Sequence, residues 1–296
     1  MTIRWGVSPI AWANDDMPEL GGNISLDAIL TDAKTIGFEG IELGNKFPRD
    51  AETLKPIMAR HQLDIVGGWY SSNLLVRDAD AEIAAMADHL ALLEAMGSTV
   101  FIIAETSNAV HGDRTSSLAA HPELAAAEWW TFGERLTAVA RHVAARGLRL
   151  AYHHHLGTVV EKREELDHFV ATTGREVGLV LDTGHALYGG IDPVTVVRDH
   201  PERIAHVHCK DVRGARHRSF RGAGASFLDG VVGGMFTVPG DGDYDYNPFL
   251  QALAEIGYSG WIVVEAEQDP AVADPREYGR LGLETLRRLA RQNGLI

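Results

Sequence analysis

AARGLRLAYHHHLGT, residues 144–158, holds the junction on which the fold turns: a helix end, a glycine, a short apolar run and then three histidines. A glycine in that place stops a helix because it adopts the left-handed C′ conformation at no steric cost, and the chain then sets off in a new direction. The same device recurs in TIGFEGIEL (35–43), EAMGSTVFII (94–103) and EIGYSGWIVV (255–264). Working outward from these junctions, strands are expected at Ile3–Ser8, Gly40–Leu43, Leu63–Trp69, Thr99–Ala104, Leu148–His154, Gly178–Asp182, Ile204–Cys209 and Gly260–Glu265. Segments of helical spacing fall between them, near 26–36, 50–61, 78–96, 122–146, 161–171, 192–199, 246–256 and 276–293. Eight strands each followed by a helix is the count of an α/β fold of the (β/α)8 TIM-barrel type, one domain over 1–296. The competing open, doubly wound sheet shares the alternation. However, the first strand runs into GVSPIAW rather than the G-x-G-x-x-G of a dinucleotide fold.

The 296 residues are 45% hydrophobic and 23% charged, the balance of a chain that buries a core and carries no low-complexity tract. A net charge of −14 argues against a nucleic-acid partner, which needs a basic surface. The exception is local: RGARHRSFR at 213–221 reads either as a solvated loop or as an arm over a polar substrate. A single cysteine, Cys209, cannot form an intrachain disulfide, as expected of a cytoplasmic protein, and strand alternation turns it away from His208. Neither a leader-like start nor an apolar run of membrane-spanning length is present, so no membrane partner is expected.

Four strand ends carry the chemistry. They are LAYHHHLGT (150–158), VGLVLDTGH (177–185), IAHVHCKD (204–211) and WIVVEAEQD (261–269). Successive strand residues face opposite sides, so His153 shares a face with His155, His206 with His208 and Lys210, and Glu265 with Glu267. In a parallel barrel these side chains meet at the C-terminal mouth, where such enzymes keep their active sites. Several ionisable groups on neighbouring strand ends repel one another unless a cation or shared protons intervene. The ligand set expected is His153, Asp182, His208 and Glu265, with His154 as an alternative to His153. Two carboxylates and two neutral imidazoles balance a divalent ion, which suits manganese, cobalt or magnesium, with zinc also possible.

Around that centre, Glu265, Glu267, His155, Lys210 and His185 are the candidates for proton transfer and for holding a carbonyl or hydroxyl. Trp12, Asn14, Asp15 and Trp69, followed by Glu105 and His206, are the candidates for substrate contact. An aromatic face beside polar side chains suits a polyhydroxylated ring. Glu42 is expected as a polar residue of the mouth. The stretch 211–245 is expected as a long irregular loop over that mouth, acting as a lid.

The strings DTGH, HVHCKDV and VVEAEQD resemble the sixth, seventh and eighth strand ends of the sugar phosphate isomerase/epimerase superfamily, the xylose isomerase-like TIM barrels. The resemblance covers essentially the whole chain. It implies divalent-metal ligation by Asp182, His208 and Glu265; the usual Glu of the fifth strand is replaced by a histidine of the HHH run. PIAWANDDMPELGG (9–22), YHHHLGTVVE (152–161), LDTGHALYGGIDP (181–193), FLDGVVGGMFTVPGDGDYDY (227–246) and VVEAEQDPAVADPREY (263–278) are further similar to the inosose dehydratase family. That likeness implies loss of water from 2-keto-myo-inositol (scyllo-inosose) to a trihydroxycyclohexane-1,2-dione, with manganese or cobalt. The chemistry agrees, since a ketone acidifies its α-hydrogen and a Lewis-acidic ion stabilises the resulting enediolate. The expected partner is therefore a small polyhydroxylated cyclic ketone, with the helical faces open to a homo-oligomer. The competing readings are an isomerase or epimerase that stops at the enediolate, an endonuclease IV-like repair enzyme, and a non-catalytic polyol-binding protein.

Overall fold

The computed structural model describes residues 2–296. Eight parallel strands close into a barrel: β1 (Ile3–Val7), β2 (Gly40–Leu43), β3 (Asp64–Ser72), β4 (Val100–Glu105), β5 (Arg149–His153), β6 (Gly178–Asp182), β7 (Ile204–Cys209) and β8 (Gly260–Val264). β8 pairs with both β1 and β7, which closes the cylinder and leaves no sheet edge. The glycine junctions behave as the spacing requires. Gly37 (φ 107°) ends the helix Leu26–Ile36, which Ser25 caps at its start, and Gly147 (φ 84°) separates the helix Ala126–Ala145 from β5.

Strand alternation sorts side chains between two cores. Val100 and Ile102 of β4, Ala151 of β5 and Val180 of β6 pack inside the barrel. Phe101, Ile103, Leu150 and Tyr152 of the same strands pack outward against the helices. Continuing the inward parity to the strand ends places His153, Asp182, His208 and Glu265 at the mouth. Register then sets their heights. His153 lies level with Val180, Val180 with His206, Asp182 with His208, and His208 with Val263. Glu265 therefore stands one inward layer above Asp182 and His208.

Two expectations are corrected. The helix expected at 78–96 is two helices, Ala79–Ala85 and Ala87–Ala95. They part at Met86, and in the first Glu82 is fully buried and accepts from Tyr70 Oη (2.7 Å) and Asn73 N (3.1 Å), a tertiary contact to which helical periodicity is blind. The stretch 211–245 is not irregular. It contains an antiparallel pairing of Asp211–Val212 with Phe236–Thr237 and the helices Gly214–Gly222 and Phe227–Val232, the second opened by a Ser226–Asp229 capping box. Two of its arginines bind their own excursion: Arg213 donates to the carbonyls of Gly234 and Phe236 and pairs with Asp241, and Arg216 donates to Gly233 O. The stretch 213–221 is thus a helix rather than a loop, with Arg216 and Arg218 exposed on it. Phe227, Leu228, Met235 and Phe236 join Met17, Leu118 and Leu156 in a second apolar cluster that roofs the mouth.

Candidate metal centre

Each of the four expected ligands is prepared by a neighbour that occupies its other polar atom. His153 Nδ1 lies 2.7 Å from the carbonyl oxygen of His154, an acceptor, so Nδ1 carries the proton and Nε2 presents a bare lone pair. His208 is turned the other way. Its Nε2 lies 2.8 Å from Glu42 Oε1, which leaves Nδ1 facing the centre. Asp182 both ends β6 and caps the helix Thr183–Tyr188; its Oδ1 accepts from His185 N at 2.9 Å, so only Oδ2 is free. Glu265 places Oε1 2.7 Å from Lys210 Nζ and Oε2 2.6 Å from His208 Nδ1. This last contact lacks hydrogen-bond alignment, because His208 Nδ1 and Asp182 Oδ2 are both buried polar atoms without a hydrogen-bond partner.

Orphaned buried acceptors cost of the order of 1–3 kcal/mol each, so two of them converging is informative. One donor atom from each of His153, Asp182, His208 and Glu265 lies within 4.8 Å of the others. Two nitrogens and two oxygens so arranged, with backbone and carboxylate partners fixing both ring tautomers, fit a divalent cation. Electrostatics point the same way. Burial, aided by His208, pushes the His153 ring well below the usual imidazole range. For Asp182 burial acts upward but is overcome by the Lys210 ammonium, with His185, His208 and His153, and the carboxyl is held well below its usual range. His208 is the exception: burial opposes its charge, yet Glu42, Glu265 and Asp182 hold it well above. A proton on His208 therefore balances carboxylates that an ion would otherwise balance.

The cavity over this centre is lined by Trp69, Asp15, Asp16, His155 and Glu267, besides Glu42 and three of the four donors. Trp69 stands edge-on to His153 and His155, at ring separations of 5.3 and 5.8 Å. Glu42 is more than a mouth residue, since one oxygen receives both His206 Nε2 (2.9 Å) and His208 Nε2. His154 turns away, its Nε2 accepting from Asp182 N at 3.4 Å.

The remaining expected contacts lie elsewhere. Trp12 is buried in the helix-facing core with Nε1 donating to Asp32. Asn14 is fully buried and folds its own loop, Oδ1 accepting from Asp16 N and Met17 N. Glu105 is consumed by Leu74 N, Ser72 Oγ and Ser107. His206 sits one layer down, bound to Glu42. Lys210 and His185 are also off the cavity. Lys210 is fully buried between Glu265 and Glu267, with Nζ 3.0 Å from His185 Nε2, and His185 Nδ1 accepts from Leu156 N. None of these six lines the cavity, and Lys210 bridges the ligand Glu265 and the cavity residue Glu267.

His111 lines the cavity and was invisible to sequence reasoning. It stands in a Ser- and Gly-containing connection outside any strand or helix candidate, with no apolar periodicity to give it a face.

A family model described as xylose isomerase-like TIM barrel matches residues 30–289. The chain is 44% identical over 294 residues to the rhizopine catabolism protein MocC of Rhizobium meliloti, covering 99% of this chain and 90% of that one. It is 40% identical to the inosose dehydratase of Lacticaseibacillus casei, over 94% of both chains. It is also 40% identical to that of Geobacillus thermodenitrificans, over 93% of both. Among solved structures, the IOLI protein with a bound zinc atom superposes with a TM-score of 0.70 at 17% identity, covering 98% of this chain and 99% of that one. The probable 3-DHS dehydratase AsbF of Bacillus anthracis does so with a TM-score of 0.68 at 15% identity, covering 96% and 98%. At such identities the likeness is one of fold.

Proposed function

The chain belongs to the xylose isomerase-like TIM barrel family, and from that premise we propose that it is a metal-dependent hydro-lyase that removes water from 2-keto-myo-inositol. The observation that carries this reading is 40% identity over nearly the full length of relatives named inosose dehydratase. His153 Nε2, Asp182 Oδ2, His208 Nδ1 and Glu265 Oε2 would hold a divalent ion, and this mixed nitrogen and oxygen set suits manganese, cobalt, magnesium or zinc. When bound, the ion supplies Lewis acidity to the ketone and its neighbouring hydroxyl.

The side chains divide the remaining work. Trp69 offers an apolar face to the ring, and Asp15 and Asp16 accept from hydroxyls at the rim. Glu267 faces the cavity without belonging to the ligand set, which leaves it as the base that takes the α-proton, and Lys210 holds its carboxylate in place. His155 Nδ1 is committed to Leu156 O at 2.7 Å, so its Nε2 is a hydrogen-bond acceptor for a substrate hydroxyl.

The test is metal-stripped protein with scyllo-inosose, with and without Mn²⁺ or Co²⁺. It is followed by ultraviolet absorbance of the conjugated product and by mass. Metal-dependent loss of water supports the proposal. Exchange of the α-hydrogen with deuterated solvent without product instead supports an isomerase or epimerase. A second reading, a different cyclitol ketone as the physiological substrate, is favoured by the 44% identity to a rhizopine catabolism protein. Relative kcat/KM over a panel of inososes decides it.

A further inference from the structure

Expelling hydroxide from carbon needs a proton delivered to the departing oxygen. None of the groups placed so far supplies one. His155 presents a lone pair, and Lys210 and His185 are buried away from the cavity. His111 is differently situated. It lines the cavity with its ring 4.7 Å from that of His155 and 6.2 Å from Phe227. Its Nδ1 is buried without a hydrogen-bond partner.

That position is built rather than incidental. Val110 N donates to Gly157 O at 2.8 Å, tying the connection after β4 to the exit of β5. Gly157 has φ +75°, and a Cβ there would stand 2.9 Å from His111 N and 3.2 Å from its Cα. Only a glycine lets the His111 backbone approach so closely. Leu118 N donates to Ala225 O at 2.7 Å, and Leu118 packs with Phe227 in the roof.

Solvent access separates His111 from the other imidazoles. His153, His154, His155, His185, His206 and His208 are each 6% exposed or less, whereas His111 is half-buried. An acid that gives up a proton in every turnover must be recharged by water, and His111 is the most exposed of these rings.

We propose that His111 is the acid that protonates the leaving hydroxyl in the dehydration read above, on which the proposal rests. Glu267 takes the α-proton, the C–H electron pair becomes the carbon–carbon double bond, and the C–O bond breaks with its pair on oxygen. The His111 N–H proton completes a water molecule. Glu267 then releases its proton to solvent and His111 regains one, so the ketone loses H₂O and nothing else.

The experiment compares wild type with His111→Phe and His111→Gln, all loaded with Mn²⁺. It reads deuterium incorporation into scyllo-inosose and product absorbance separately, with metal content and Tm as controls for folding. Product formation is expected to fall by roughly 10²–10⁴-fold, with deuterium incorporation within several-fold of wild type. Added imidazole should restore part of the product rate to His111→Gly, which keeps the proposal testable if a bulkier side chain disturbs the fold. Wild-type turnover with unaltered variant turnover, or equal loss of exchange and product at unchanged metal content, overturns the role of His111 alone. Wild-type exchange without loss of water overturns the dehydratase reading and His111 with it.

Discussion

Glu42 shows how one buried carboxylate can govern a whole centre. By receiving His208 Nε2 it forces the other nitrogen towards the ligand set, and by receiving His206 it anchors the layer beneath. Burial would raise its pKa, but His208 and His206 hold the carboxyl well below its usual range, as this bridging role requires. Glu42→Gln is expected to weaken Mn²⁺ binding about 10–100-fold, measured by calorimetry on the stripped protein, with little change in Tm. Away from the centre, His217 stacks on Tyr188 at 3.8 Å with Nε2 unpartnered, and burial, with Arg221 and Arg218, pushes it down to about 4. From its ordinary value of 6.5 down to about 4 the unfolded chain binds a proton that the folded chain refuses, so stability falls as pH falls through that window. His217→Phe should flatten the slope of Tm against pH there. An unchanged slope would show that the ring is charged in the fold.

Elements were legible wherever local chemistry punctuates them. The glycine junctions at 37, 97, 147 and 257 all have positive φ, and every expected barrel strand exists within a few residues of its expected bounds. What failed was tertiary in origin: the helix is interrupted at Met86, and the excursion after β7 folds because its apolar residues find Met17, Leu118 and Leu156 from distant loops. Packing between helices sets equally specific demands. A Cβ on Gly133, in the helix Ala126–Ala145, would stand 2.2 Å from the carbonyl oxygen of Thr172 in the neighbouring helix Arg163–Thr172, and backbone cannot swing aside. Gly133→Ala is expected to destabilise by about 1–3 kcal/mol despite the better helix propensity of alanine, read from urea unfolding.

At the scale of the molecule, charge limits what the cavity can bind. The chain carries a net −14, and the cavity is lined by Asp15, Asp16, Glu42, Glu265 and Glu267 with no lysine or arginine. A phosphate needs cationic or backbone donors to replace its hydration, and these carboxylates would repel it. Phosphorylated cyclitols are therefore expected to bind at least about 10²-fold more weakly than the neutral ketone, a difference of roughly 2.7 kcal/mol. Competition assays against scyllo-inosose measure it. Inhibition by a phosphorylated analogue at the concentration of the neutral one would show that the rim charge is screened.

The order of elements, the barrel count and the four candidate donor residues that the fold brings together were written in the sequence, because glycine stops, strand alternation and ionisable strand ends are local properties of the chain. Register was not. That His208 stands level with Asp182, and one inward layer below Glu265, follows from the stagger of strands around the closed barrel. For the same reason His206 falls to the layer below and Lys210 is enclosed between carboxylates, although both share a strand face with His208. Nor could the sequence bring His111 to the cavity or remove Trp12, Asn14 and Glu105 from it. Those outcomes depend on which distant backbone each loop meets, and only the closed tertiary structure decides that.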